Sequence, residues 1–154
     1  MPETTIETQA RAKINLSLEV IGRRGDGYHD VATVLHEIDI TDRMAFRPAD
    51  RLRLICRAPP SAPEDNLVLR AARLLQKRTG CTLGAEITLE KEIPVSSGLG
   101  GGSSDAAATL NALNSLWDLG LSNVRLLELA AELGSDVPFF VNGGCALGEG
   151  RGEA

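Results

Sequence analysis

The chain reads as an α+β fold, a mostly antiparallel sheet with helices packed on one face. Two features of its order predict this: strand patterns mark residues 12–21, 31–40 and 51–58, and helical periodicity then appears in three stretches, with alternation returning at 84–93 between the first two. A third is size. At 154 residues, 43% hydrophobic and 24% charged, the chain fits one soluble globular domain over 1–154.

The first strand is AKINLSLEVI (12–21), with Ala12, Ile14, Leu16, Leu18 and Val20 on one face and Lys13, Asn15, Ser17 and Glu19 on the other. GRRGDGYHD follows, and its Asp26-Gly27 pair is a turn signal that sends the chain back as VATVLHEIDI (31–40). That strand sets Val34, His36, Ile38 and Ile40 on one face, so His36 reads as structural. RLRLICRA (51–58) alternates again, Leu52, Leu54 and Cys56 against Arg51, Arg53 and Arg57, and the Pro-rich APPSAPED closes the β-rich section. Asp65 or Asn66 can then cap a helix carrying Leu67, Val68, Ala71, Leu74 and Leu75 inward, with Arg70, Arg73, Lys77 and Arg78 outside and Gly80 as its stop. GAEITLEKEI (84–93) returns to alternation, and Pro94 opens a glycine-rich loop. A second helix spans SSDAAATLNALNSLW, with Ala106, Leu110, Leu113 and Trp117 at helical spacing. A third is capped by Ser122 and runs through Leu126, Leu127, Ala130 and Leu133 to Gly134. The remainder reads as a turn, one strand over 139–147 and a Gly/Glu segment; with no terminating element before Ala154, the expectation is a portion of a longer chain.

Several function classes are set aside by composition. Sixteen Lys+Arg against 21 Asp+Glu give a net charge of −5, which disfavours a nucleic-acid surface. The five aromatic residues, Tyr28, Phe46, Trp117, Phe139 and Phe140, are too few for a base-stacking platform. No apolar run reaches the roughly 18–20 residues that cross a bilayer, and MPETTIETQARAK has no apolar leader core, so the expectation is a cytoplasmic protein with no membrane partner. Cys56, Cys81 and Cys145 form no CxxC pair and His29 and His36 are the only histidines. Neither a zinc site nor a disulfide framework has the required spacing, and three buried or inert thiols are expected.

The most informative stretch is PVSSGLGGGSSDAAA (94–108), with four glycines among positions 98–102. Such a backbone can approach a bulky group closely, and the helix that follows points free N–H groups and its positive dipole end at whatever the loop holds. That is an anion site, most naturally for phosphate. Ser103 and Ser104 either add hydroxyl donors or only cap the helix. The loop is not a Walker A sequence, since no Lys follows the glycines, nor a dinucleotide fingerprint, since position 103 is Ser. The alternative is a flexible surface turn.

PVSSGLGGGSSDAAA resembles the signature loop of the GHMP kinases, small-molecule kinases whose loop wraps the phosphates of ATP. ARAKINLSLEV with GRRGDGYHD, the EDNLVLRAARLL helix and LGSDVPFF extend the resemblance from about Ala10 to Glu153. They narrow it to a branch that phosphorylates a small alcohol carrying a cytidine diphosphate group in isoprenoid-precursor synthesis. Members are about twice this length, so the chain corresponds to an N-terminal, ATP-binding half whose partner is the C-terminal half of the same enzyme.

The resemblance implies ATP and magnesium as cofactors, the metal held through phosphates and waters with no protein-only site. It implies an ATP loop made of Pro94, Val95, Ser96, Ser97, Gly98 and Leu99, continuing through Gly100, Gly101, Gly102, Ser103 and Ser104. Asn66 and Leu67 correspond to an adenine-contacting pair, although capping explains Asn66 equally well, and Asn114 is a further candidate. Phosphoryl transfer to an alcohol needs a proton acceptor and a cation for developing charge. The resemblance gives these roles to Asp136 and Lys13, in contact with one another; the ordinary readings are a helix cap for Asp136 and a solvated strand charge for Lys13. Asn15, Tyr28 and His29 are carried over as substrate-binding residues, the two rings lining a cytidine pocket. Two departures stand out: Val95-Ser96-Ser97 replaces small glycines, and Asp105 sets a carboxylate beside the expected phosphate, where magnesium or distance must offset it. The competing readings are a GHMP kinase for another alcohol, which should lack DGYH, and a nucleotide-binding half with no activity of its own.

Overall fold

The computed structural model describes residues 4–57 and 66–152. The Pro-rich stretch 58–65 with Asp65, and Glu153 and Ala154 at the end, lie outside the described residues. In chain order the elements are β1 (Ile6–Arg23), β2 (His29–Ala49), β3 (Arg53–Cys56), α1 (Leu67–Thr79), β4 (Gly84–Glu90), α2 (Gly101–Leu116), α3 (Asn123–Leu133), α4 (Val137–Asn142) and β5 (Cys145–Gly152).

Strand β2 organises the sheet. Along one edge it pairs antiparallel with β1; along the other, Arg43–Ala49 pair with β4 and His29–His36 pair with β5. Only β3 and β4 run parallel, as a strand–helix–strand crossover through α1 requires. The sheet order is β1-β2-β4-β3, with β5 off this path against β2.

The core lies between the helices and the half of the sheet built from β4 and the adjoining parts of β1 and β2. Phe46, Leu75, Ile87, Leu89, Leu110, Leu113 and Leu129 are all fully buried there. Each large side chain so buried contributes roughly 1.5–3 kcal/mol of transfer free energy. Trp117 caps α2 and donates its indole N–H to the Gly84 carbonyl at 3.1 Å, which ties the far end of that helix to β4. Ser122 caps α3 through the Arg125 N–H, and Gly80 closes α1 in a left-handed conformation, both as the sequence predicts.

Several expectations are overturned. The apolar face of residues 12–21 does not enter the core: Leu16, Leu18 and Val20 are 58%, 63% and 62% exposed, whereas Lys13 on the supposed polar face is buried. Register shifts between Arg11 and Lys13, Asn15 and Ser17, and Val20 and Gly22 rotate the strand, and the ribbon runs past the ground the helices cover. On β2 the same shifts bury Thr33 and Leu35 rather than the face of Val34, His36, Ile38 and Ile40. The strand over 139–147 is instead helix α4 followed by β5, because Pro138 in the first turn favours a helix start and the apolar run Phe139–Val141 is too short to fix a period. Strand β5 carries the Gly/Glu segment through Gly152 as a paired strand. Helix α2 starts at Gly101, before the serines, and β4 ends at Glu90. Cys56 and Cys81 are half-buried, but Cys145 is exposed, so not all three thiols are hidden.

Candidate active site at the glycine-rich loop

Between β4 and α2 the backbone coils with positive φ at Ser96, Gly98 and Gly100. Gly100 admits no side chain: at φ 73° a Cβ would lie 2.8 Å from Phe140 Cζ and 3.2 Å from Lys13 Cγ. Gly101 is as confined, with Ile93 Cγ2 at 2.9 Å and Lys91 Nζ at 3.1 Å from a Cβ built there. The first bond of α2 runs from the Ser104 N–H to the Gly100 carbonyl at 2.9 Å. The N–H groups of Gly101, Gly102 and Ser103 therefore have no partner within the helix and stand at its positive end. Gly100 supplies no side-chain cap, and the serines occupy the first turn instead of capping it.

These residues wall a cleft of about 370 Å³. Pro94, Val95, Ser96, Ser97, Gly98, Gly100, Gly101, Gly102 and Ser103 line it on one side, and Cys56, Asn66, Leu67, Lys91 and Asp105 complete it. Two residues of the expected ATP loop do not face it. The Leu99 carbonyl accepts the Lys13 backbone N–H at 2.8 Å, and Ser104 is buried towards a second groove shared with Glu37, Asn111 and Phe140. Asn66 caps α1, its Oδ1 accepting the Val68 N–H at 2.8 Å, and it also lines the cleft beside Leu67.

Lys13 is thus pinned to the loop by its own backbone. Its Nζ donates to Asn15 Oδ1 at 2.7 Å, Asn15 Nδ2 donates to Thr33 Oγ1 at 2.8 Å, and Thr33 Oγ1 donates to the Ser17 carbonyl at 2.6 Å. A neutral amide, not a carboxylate, orients the lysine. Asp136 stands at the N-terminus of α4, half-buried, and its side chain makes no capping bond, so the ordinary role of such an Asp is not taken up. Four residues on, about 6 Å along the helix axis, Phe140 packs against Gly100, the glycine that Lys13 Cγ also approaches. Gly100 is thus approached both by Lys13 and by Phe140 of the helix that Asp136 begins. Among the described residues no ion pair joins them, so the direct contact expected between them is not made. Asn111 Nδ2 holds the Val141 carbonyl at 3.1 Å and fixes the far end of α4 on α2.

A buried ionic cluster beneath the loop was not legible as such. Lys91 Nζ lies 2.6 Å from Asp42 Oδ2 and 2.9 Å from Asp105 Oδ2, while Asp42 Oδ1 accepts the N–H groups of Glu92 and Ile93 at 2.7 and 2.9 Å. Burial alone would raise the Asp42 carboxyl, but hydrogen bonding to Asp105, Lys91 and the two backbone N–H groups outweighs it and holds it below the usual range. Burial likewise opposes the charge on Lys91, and its two carboxylate neighbours more than restore it, holding its pKa above normal. Asp105 is pushed up to about 8, by burial first and then by hydrogen bonding to Asp42, and its Oδ1 is buried without a partner. The charge beside the expected phosphate is therefore reduced: burial and the neighbouring Asp42 favour the protonated form of Asp105, and Lys91 donates to its Oδ2. The only sequence signal was the alternation of charges in LEKEI next to the loop, and Asp42 sits 49 residues from Lys91.

Tyr28 and His29 are not brought into this cleft. They close the β1–β2 ribbon at its tip, where Arg24 N–H meets the Tyr28 carbonyl at 2.6 Å and Asp26 Oδ1 accepts the Tyr28 N–H at 3.1 Å. Asn114 is excluded from the adenine end, since both ends of its amide bond Leu121, about 20 Å along α2 from the loop. Among the described residues no group of three or more His, Cys, Asp or Glu could hold a metal ion, and no helix is long and apolar enough to cross a membrane.

Comparison with known proteins adds to this geometry. The GHMP kinases N-terminal domain matches residues 66–144. A 4-diphosphocytidyl-2-C-methyl-D-erythritol kinase from Pelotomaculum thermopropionicum is 54% identical over 96% of this chain and 53% of its own length. One of the same name from Gloeobacter violaceus is 51% identical over 97% of this chain and 50% of its own. The crystal structure of a 4-(cytidine 5'-diphospho)-2C-methyl-D-erythritol kinase superposes with a TM-score of 0.83 at 42% identity, covering 94% of this chain and 52% of that one. The chain spans about half the length of the curated relatives it matches.

Proposed function

This chain belongs to the GHMP kinase family, and on that premise we propose that it is the ATP-binding half of an enzyme that phosphorylates the 2-hydroxyl of 4-diphosphocytidyl-2-C-methyl-D-erythritol. The observation that carries the reading is the cleft floored by the unpaired N–H groups of Gly101, Gly102 and Ser103, with Lys13 bonded to the same loop. Backbone amides at a helix N-terminus suit a triphosphate. Asn66 and Leu67, which line the same cleft with Leu67 next to Gly102, take the adenine side. Backbone N–H groups and hydroxyls line the cleft together with Lys91 and Asp105, a set that suits magnesium carried in on the nucleotide phosphates. Bound there, the ion would neutralise charge on the phosphates.

The remaining work falls to the protein. Lys13 steadies the negative charge that develops as the alcohol attacks, and Asp136, whose oxygens are not committed to capping, accepts the hydroxyl proton. The acceptor is a crowded tertiary alcohol, so positioning matters more than base strength. Asn15, bonded to Lys13, contacts the substrate, and Tyr28 and His29 at the ribbon tip line the pocket for its cytidine. The exposed apolar face of Leu16, Leu18 and Val20 is where we place the C-terminal half, and the cytoplasm is the compartment this reading assigns.

The test is nucleotide consumption by the protein with ATP–magnesium against a panel of alcohols: the cytidine-diphosphate acceptor, homoserine and mevalonate derivatives. Turnover is expected with the first alone. Asp136→Asn should lower kcat by about 10²–10⁴-fold; unchanged turnover in that variant would remove the proton-acceptor assignment.

A further inference from the structure

The glycine-rich loop leaves β4 and enters α2 over the largely covered ammonium of Lys91. At its entry, Asp42 holds the N–H groups of Glu92 and Ile93 with one oxygen and Lys91 with the other. At its exit, Lys91 holds Asp105, the fifth residue of α2 and one turn on from Gly101. The same ammonium lies 3.1 Å from where a Cβ on Gly101 would sit, directly under the first free N–H group. All of Lys91's hydrogen bonds go to these two carboxylates. The groups facing Asp105 are Asp42 from β2 and Lys91 from the end of β4, and Thr109 within α2 accounts for its backbone carbonyl. The cluster therefore spans three elements with one cation and closes both limbs of the loop.

We propose that Lys91 is a positioning residue for the nucleotide, bracing the entry and exit of the glycine loop against each other through Asp42 and Asp105 so that the amides of Gly101–Ser103 keep a fixed spacing for phosphate. The proposal rests on the nucleotide-binding reading of the cleft. It gives Lys91 no contact with the reacting atoms; its effect reaches them through Asp105, which follows directly on the first turn of α2 that carries Gly101, Gly102 and Ser103. An ångström of slack at that turn misplaces all three donors together, and misplacement of that size costs up to about 100-fold in function.

Asp105 separates bracing from bulk stability. Asp105→Asn keeps an oxygen acceptor for Lys91 at the same position, whereas Asp105→Ala frees α2 from Lys91 while leaving the lysine paired with Asp42. Calorimetry with ATP–magnesium on the folded chain, with steady-state kinetics of the active protein, gives the readout. Asp105→Ala should weaken nucleotide affinity by about tenfold or more and raise the KM for ATP with little change in kcat. Asp105→Asn should stay within about threefold of the unsubstituted chain, and a folded Lys91→Met should match Asp105→Ala. If Lys91→Met does not fold, the two Asp105 variants decide alone. Equal affinity in Asp105→Ala and the unsubstituted chain overturns the brace, as does an Asp105→Asn variant as weak as Asp105→Ala. Failure of the unsubstituted chain to bind ATP at all would instead remove the nucleotide reading on which the brace rests.

Discussion

Asp105 shows how far one side chain's surroundings can reverse its expected behaviour. Read from the sequence, it is an acidic residue placed unhelpfully beside a phosphate. In the fold it is buried next to another carboxylate, and its proton stays on up to about pH 8. The unfolded chain releases that proton near its ordinary value of 3.8. Between those limits the folded state binds more protons, so this residue makes stability fall as pH rises from about 4 to 8 and level off above. Asp42 works in the opposite sense: its lowered pKa adds stability above its ordinary value, lost as pH falls below it. Denaturant titrations of the chain and of Asp105→Asn near pH 5 and pH 8 isolate the Asp105 contribution. The variant should gain stability relative to the unsubstituted chain on going to the higher pH; a difference independent of pH would contradict the assignment.

Where each side chain's neighbours lie close in sequence, the elements were legible. Helices α1 and α3 have the predicted caps and stops because Asn66, Gly80, Ser122 and Gly134 act on backbone groups within a few residues of themselves. Asn66→Ala should accordingly cost about 1 kcal/mol of stability, measured by thermal unfolding; no change would mean that its bond to Val68 contributes nothing. The glycine loop and helix N-terminus were likewise read from contiguous residues. What escaped depends on distant ones. No period in residues 12–21 reports three register shifts against β2, and those shifts decide that Lys13 is buried while Leu18 is not. Residues 137–142 carry an apolar run that suits strand or helix, and packing of Phe140 on Gly100 settles it. The same limit hid the Asp42–Lys91–Asp105 cluster, whose members come from three elements. Roles for Lys13 and Asp136 came from a family resemblance and not from any pattern of their own.

Taken together, the molecule is a helix-backed sheet at one end and a ribbon of β1, β2 and β5 at the other. The nucleotide cleft belongs to the first part, and Tyr28 and His29 to the tip of the second. Since no core lies under Leu18, Leu18→Asp should change the stability of this chain by less than about 0.5 kcal/mol; a loss of several times that would show the ribbon is packed. Everything proposed about the reaction depends on phosphates lying in the glycine loop, and amide NMR of the chain titrated with ATP–magnesium tests that most directly. The N–H signals of Gly101, Gly102 and Ser103 should shift most and saturate together. Saturable shifts centred elsewhere, such as the groove across β1, β2 and β4 around Thr8 and Arg43, with those three amides unmoved, would contradict it.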